Sequence, residues 1–206
     1  MDKSDLREEY DSYFRKKPEK WTSEHRNEYT RLKIEEYLEG RPKTLLDIGC
    51  GNGHTIAYLR RFWENTKFYG FDLSPVAIEI AKAKLPGVDL QAGFLDEMNY
   101  PLKFDCICLL GVAEHFEDLS SSLRQVCDLL ADTGIIYLES PNCLAYEGSM
   151  QEEGFRRVNF GNHQMEWHLT RESWKKHIQA AGFKITASII GPTPQTEFIL
   201  IFEKLK

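Results

Sequence analysis

The segment TLLDIGCGNGHTIAYLRR, residues 44–61, sets Gly49, Gly51 and Gly53 at alternate positions between an apolar run and a stretch with helical spacing. A glycine-rich turn between a strand and a helix brings the backbone close to a ligand, most often a nucleotide. In the dinucleotide pattern G-x-G-x-x-G the third glycine would stand where His54 stands; here it comes one position early. Asp47, two residues before the first glycine, would repel a pyrophosphate and attract an ammonium group.

The next apolar run, YGFDLSP, ends on Asp72, 21 residues beyond Gly51. A carboxylate at that point accepts hydrogen bonds from both hydroxyls of a ribose. Asp72 alone suits NAD equally well. An ammonium partner on the first strand and a ribose partner on the second together describe S-adenosylmethionine.

Outward from the turn, strands alternate with helices. Thr44–Ile48 reads as a strand, the residues after the glycines as a helix to about Trp63, and Lys67–Phe71 as a second strand. Ser74-Pro75 opens a helix to Lys84, with serine as cap and proline at the first helical position. Val88–Ala92 is a short third strand, and the continuous apolar run Phe104–Leu110 suits a strand buried on both faces. A helix from Asp118 through Leu130, a strand at Gly134–Leu138, a Thr170-capped helix to Ala181, and strands at 183–190 and 196–203 follow. The short Gly/Pro connection between the last two suits an antiparallel pair. The alternation predicts a Rossmann-like, doubly wound α/β fold: a mostly parallel seven-stranded sheet with an antiparallel final strand and helices on both faces.

Ahead of the glycine loop, Thr22–Leu38 has amphipathic helical spacing, stopped by Gly40 and Pro42. Tyr10, Tyr13, Phe14 and Trp21 mark the polar opening segment as an arm that docks on the body. Residues 140–169 read as irregular and too long for a simple connection, which points to function. The 206 residues carry a net charge of −6, and their short, scattered cationic clusters argue against a nucleic-acid partner. Five cysteines without C-x-x-C pairing suit a reducing, cytoplasmic compartment. The charged opening lacks a signal-peptide core, and no apolar run approaches the ~20 residues that span a bilayer.

The stretches LLDIGCGNG, GFDLSPVAIEIAKAKL, FDCICLLGVAEHFED and GIIYLESPN, in order over about residues 30–190, resemble the successive motifs of class I S-adenosylmethionine-dependent methyltransferases. In style they are closest to the small-molecule enzymes of the ubiquinone-biosynthesis type. The resemblance implies one domain over 1–206, with an N-terminal arm or lid (1–40), a cofactor-binding half (41–140) and an acceptor-pocket cap (141–170). It puts Asp47 near the methionine amino group and lines the methionine and ribose with Gly49, Cys50 and Gly51. Asp72 would hold the ribose hydroxyls, Leu73 would flank the adenine, and Leu110 and Gly111 would pass beside the methionine chain.

Many relatives carry Gly-Asp after strand three, whereas this chain has Gly93-Phe94-Leu95-Asp96. Either Asp96 reaches the adenine amino group, or the backbone at Phe94 and Leu95 binds the base while Phe94 packs on it. The segment YTRLKIEEYL makes Arg31 a candidate for the methionine carboxylate, against the alternative of a solvent-facing helical arginine; Trp21 and Arg26 are weaker versions of the same idea.

Methyl transfer from a sulfonium is an in-line displacement in which the protein chiefly aligns the acceptor and excludes water. A base is needed only where the nucleophile must lose a proton early. The candidates are His115, in the Glu114-His115 pair, and His163 and His168 in the long segment, each set against a packing role. Metal-binding relatives carry a glutamate at the position of Gly111, and the two later histidines lack zinc spacing, so no metal is expected.

The expected function is methyl transfer from S-adenosylmethionine to an oxygen or nitrogen of a small molecule, releasing S-adenosylhomocysteine. The protein would act as a monomer or homodimer, without nucleic acid or membrane. A protein methyltransferase and a non-catalytic S-adenosylmethionine-binding regulator are the alternatives. An NAD-dependent oxidoreductase is disfavoured by His54 and Asp47.

Overall fold

The computed structural model describes residues 3–18, 23–141, 154–157, 165–190 and 197–205. The chain divides into two compact units, Met1–Phe104 and Asp105–Lys206.

The first unit opens with two helices, α1 (Lys3–Lys16) and α2 (Glu24–Tyr37). It continues through β1 (Thr44–Ile48), α3 (His54–Leu59), β2 (Lys67–Asp72), α4 (Pro75–Lys84) and β3 (Asp89–Ala92). β2 pairs in parallel with both β1 and β3, so that Asp47 lies across from Gly70 and Asp72 from Ala92. The local signals explain most of the boundaries. The Ser23 side chain accepts from the Arg26 N–H to start α2, and Ser74 accepts from the Ala77 N–H to start α4, with Pro75 in the first turn. α3 is shorter than its spacing predicts: from Arg60 the chain closes tight turns that carry Trp63 into the core, stacked on Phe68 at 6.4 Å. Burial of that indole outweighs another helical turn.

The second unit contains all but the first residue of β4 (Phe104–Leu110), then α5 (Leu119–Leu129) and β5 (Leu130–Pro141). β6 (Gly154–Arg157), β7 (Met165–His168), α6 (Arg171–Ala180), β8 (Phe183–Ile190) and β9 (Glu197–Lys204) follow. β9 runs antiparallel to both β5 and β8. Its run Ile199–Phe202 is fully buried, which suits a strand with neighbours on both edges. The seven-stranded sheet has the order β3-β2-β1-β4-β5-β9-β8, which matches the Rossmann-like expectation including its antiparallel last strand.

Within 140–169 the structure departs from the irregular reading. β6 and β7 form a separate antiparallel pair in which Phe155 lies opposite Trp167. Each strand is only four residues long, too short for alternation to register as a pattern.

Candidate cofactor site

The glycine loop turns its own donors inward. The N–H groups of Gly49 and Cys50 both donate to the Phe71 carbonyl, at 2.7 and 3.1 Å, and that of Gly53 to the Cys50 carbonyl at 2.9 Å. The Gly51 N–H donates to Asp72 Oδ2 at 2.8 Å. Gly53 has φ +78°, and a Cβ there would lie 2.5 Å from Leu85 Cδ1, so glycine is required where the loop enters α3. A phosphate cradle needs several outward N–H groups, usually at the start of a full helix. Four of this loop's N–H groups are already spent, and α3 has only six residues.

Two buried carboxylates flank the loop in sequence. Asp72 is 7% exposed; besides Gly51 it accepts from the Ser74 N–H, through Oδ1, at 2.9 Å. Burial pushes its pKa up to about 6 against the pull of those two N–H groups, and the nearby Asp11 carboxylate adds to the rise. Each oxygen retains accepting capacity. Asp47, in β1, is 2% exposed, and its Oδ1 has no hydrogen-bond partner among the described residues. Burial raises its pKa to about 7, opposed by the Arg26 charge and reinforced by Asp72. Burial likewise pushes the Cys50 thiol well up, which leaves it a neutral small hydrophobe. An orphaned buried carboxylate oxygen with a raised pKa is chemically suited to a cationic N–H donor. An S-adenosylmethionine-type ligand, with an ammonium group, a ribose and no phosphate, fits this donor and acceptor set.

The adenine-side candidates follow directly. The Gly93 N–H donates to the Asp72 carbonyl at 2.9 Å, which ties the Phe94 turn to the end of β2. The Phe94 N–H donates to Glu97 Oε2 at 2.8 Å, while Leu95, Asp96 and Glu97 form a single 3-10 turn. Leu73 and Leu95 are half-buried. Asp96 is exposed and ion-paired with Lys3 at 2.8 Å, which holds its carboxyl below the usual range. Lys3 Nζ and the Arg7 guanidinium lie 4.7 and 4.8 Å from the Phe94 ring centre. The N-terminal arm is therefore helical, and it docks as its aromatics predict: Tyr13 and Phe14 are buried with Ala77.

Arg31 forks onto its own helix and not onto the loop. Its guanidinium donates to Glu28 at 2.7 and 2.9 Å and to Glu35 at 2.8 Å, and stacks over Phe62. Glu28 also accepts from the Tyr58 hydroxyl, and Glu35 from Trp63 Nε1 at 2.6 Å. The network ties α2 to α3 and the turn after it. The bonds from Arg31 and Tyr58 draw the Glu28 pKa down to about 2.

In the second unit, Leu110 is buried at the end of β4, and the Gly111 N–H donates to the Glu139 carbonyl at 2.9 Å. His115 is half-buried in the 3-10 turn Ala113–His115, beside the buried Glu114. Trp167 Nε1 donates to the Phe116 carbonyl at 2.9 Å, which fastens β7 near that turn. His168 lies at the end of β7, opposite Gly154. His163 and Trp21 lie outside the described residues. No group of three or more potential metal ligands occurs among the described residues.

Asp11, Phe14 and Ser74 lie beside the loop and Asp72, and no sequence signal marked Asp11. A Cβ on Gly51 would lie 3.2 Å from Phe14 Cζ, so α1 rests directly on the loop. The Ser74 hydroxyl, a helix cap by its sequence, also donates to the Asp11 carboxylate.

A family model described as a methyltransferase domain matches residues 22–188. The chain belongs to this methyltransferase family. Its sequence is 29% identical over 154 residues to a ubiquinone biosynthesis O-methyltransferase of Rhodopseudomonas palustris (strain BisB5), covering 69% of this chain and 58% of that relative. It is also 29% identical over 111 residues to a demethylmenaquinone methyltransferase of Chlorobaculum tepidum, covering 53% of this chain and 46% of the relative. The chain thus spans about half the length of the curated relatives it matches. Among solved structures, the Burkholderia thailandensis 1,6-didemethyltoxoflavin-N1-methyltransferase with bound 1,6-didemethyltoxoflavin and S-adenosylhomocysteine aligns with a TM-score of 0.78 at 19% identity. That alignment covers 98% of this chain and 88% of the other, and it is a likeness of fold. α1 lies before the residues that the methyltransferase family model matches.

Proposed function

We propose that this methyltransferase-family chain binds S-adenosylmethionine at the glycine loop and transfers its methyl group to an oxygen or nitrogen of a small-molecule acceptor. One observation carries the reading: four of the loop's N–H groups are spent internally, while Asp47 keeps a buried carboxylate oxygen with no hydrogen-bond partner among the described residues. That combination disfavours a pyrophosphate and favours an ammonium group.

Asp47 accepts from the ammonium group, and the remaining lone pairs of Asp72 accept the ribose hydroxyls. Gly49, Cys50 and Gly51 supply close backbone surface; Leu73, Phe94 and Leu95 supply the apolar edge for the base. The sulfonium provides a methyl group that is already activated, and S-adenosylhomocysteine is the product. Where the acceptor carries a proton, His115 is the residue we assign to hold or remove it. Net charge and scattered cations support a small acceptor over a nucleic acid, and the quinone-pathway names of the relatives support a ring-bearing one. The free thiols of Cys50 and Cys106 suit a reducing, cytoplasmic setting.

Calorimetry with S-adenosylmethionine, S-adenosylhomocysteine and NAD tests the cofactor assignment. Dissociation constants of about a micromolar for the two sulfur compounds, with no NAD response, are expected. NAD binding, or binding of neither sulfur compound, overturns it.

A further inference from the structure

α1 lies outside the family match, yet it places a buried carboxylate next to the ribose-side residues. We propose that Asp11 is a positioning residue for the cofactor: acting through Ser74 it holds the Asp72 carboxylate in place, so that docking of α1 and binding of the adenosine end reinforce one another. The inference rests on the reading of Asp72 as the ribose partner.

Ser74 is the pivot. It is fully buried, and three of its hydrogen bonds serve three different purposes. Its hydroxyl accepts from the Ala77 N–H at 3.1 Å, which caps α4, and donates to Asp11 Oδ1. Its main-chain N–H donates to Asp72 Oδ1 at 2.9 Å. Asp11 and Asp72 therefore grip one residue from two sides. Asp11 Oδ1 also accepts from the Val76 N–H at 3.3 Å, so it lies at the start of a ten-residue helix, where the dipole favours an anion. Without Asp11 the buried Ser74 hydroxyl loses its acceptor, and its rotamer is no longer set from both directions.

The rest of α1 keeps Asp11 in place and reaches further parts of the same side. Phe14 packs on Gly51, whose N–H holds the other Asp72 oxygen. Tyr13 and Phe14 cluster with Ala77, against Tyr10, Val76 and Ile80. Lys3 and Arg7 pair with Asp96 and Glu97 across the Phe94 ring. One helix thus contacts the loop, the Asp72 anchor and the edge assigned to the base.

The alternative is that Asp11 merely caps α4. The experiment compares wild type, Asp11→Ala and Asp11→Asn by thermal melting and by calorimetric titration with S-adenosylhomocysteine across about pH 5 to 8. The charged or titratable groups around Asp72 are Asp11 from α1, Asp47 from β1 and Cys50 from the loop, while Arg15 Nη2 stands 3.9 Å from Asp11 Oδ2. Asp11→Ala is expected to weaken binding about tenfold at neutral pH. Asp11→Asn keeps an acceptor for Ser74 and removes the charge. It should stay within about threefold of wild type, with the acid limb of affinity moved to lower pH, because Asp72 has lost a negative neighbour. Variants that melt earlier but bind with wild-type affinity and a wild-type acid limb overturn the inference and leave the cofactor assignment standing. Failure of the wild type to bind S-adenosylhomocysteine overturns both.

Discussion

The Gly51 amide and the Asp72 carboxylate, 21 positions apart, are joined by a half-buried 2.8 Å hydrogen bond. The loop that would approach the ligand and the carboxylate that would hold its ribose are thus one unit, and damage to either reaches the other. Asp72→Ala removes the ribose acceptor and leaves the Gly51 and Ser74 N–H groups without a partner. A loss of S-adenosylhomocysteine affinity of about 30- to 100-fold is expected by calorimetry. Unchanged affinity would remove Asp72 from the site.

Protonation should weaken cofactor binding just below neutral pH. Asp47 and Asp72, with pKa values raised to about 7 and about 6, accept most strongly from an ammonium group and from a pair of ribose hydroxyls when they are ionised. Affinity is therefore expected to fall as pH drops through that interval, read as titrations in matched buffers. A flat profile from pH 8 to about 5 contradicts both assignments.

The same two groups burden the ligand-free fold. Their pKa values stand above those of an unfolded aspartate, so the stability they confer is fully present only below the unfolded value and is lost as pH rises through the folded one. Asp47→Asn should therefore stabilise the protein at pH 8 by about 1–3 kcal/mol, with the gain shrinking toward about pH 4. Urea denaturation at the two pH values measures it. The same variant should bind S-adenosylmethionine more weakly, a trade of function against stability.

Arg31 should behave as a brace. Arg31→Ala is expected to lower the melting temperature while leaving S-adenosylhomocysteine affinity within about twofold. Because Arg31 holds the Glu28 pKa low, the stability of that pair is present above the ordinary glutamate range and fades as pH falls toward about 2. The deficit of the variant should accordingly shrink in acid. Weakened binding at an unchanged melting temperature would return Arg31 to the ligand.

Gly53→Ala tests the entry to α3. The new methyl group meets Leu85 Cδ1 at 2.5 Å and Ala81 Cβ at 3.2 Å, on a backbone held at φ +78°. A cost of about 1–3 kcal/mol is expected from chemical denaturation. A neutral effect would mean that the loop relaxes without penalty.

Sequence by itself determined the elements whose signals are local. Ser74-Pro75 marks the start of α4 because a cap and a fixed φ act within one turn. The closely spaced glycines mark the loop because its backbone requires positive φ, and the spacing of Asp47 and Asp72 follows from one strand–turn–helix–strand unit. Tertiary structure alone decided which partner each polar group took. Helical spacing sets Glu28 and Glu35 one turn to either side of Arg31, but it is equally compatible with a ligand carboxylate; only packing adds Phe62, Tyr58 and Trp63 to that pair and makes it a brace. The four-residue strands β6 and β7 become strands only by pairing with each other. Asp11 is one acidic residue among several on α1 until folding carries it across 63 positions to Ser74. A periodic pattern reports backbone geometry over a few residues; the partner of a buried carboxylate depends on which donor the completed fold brings to it.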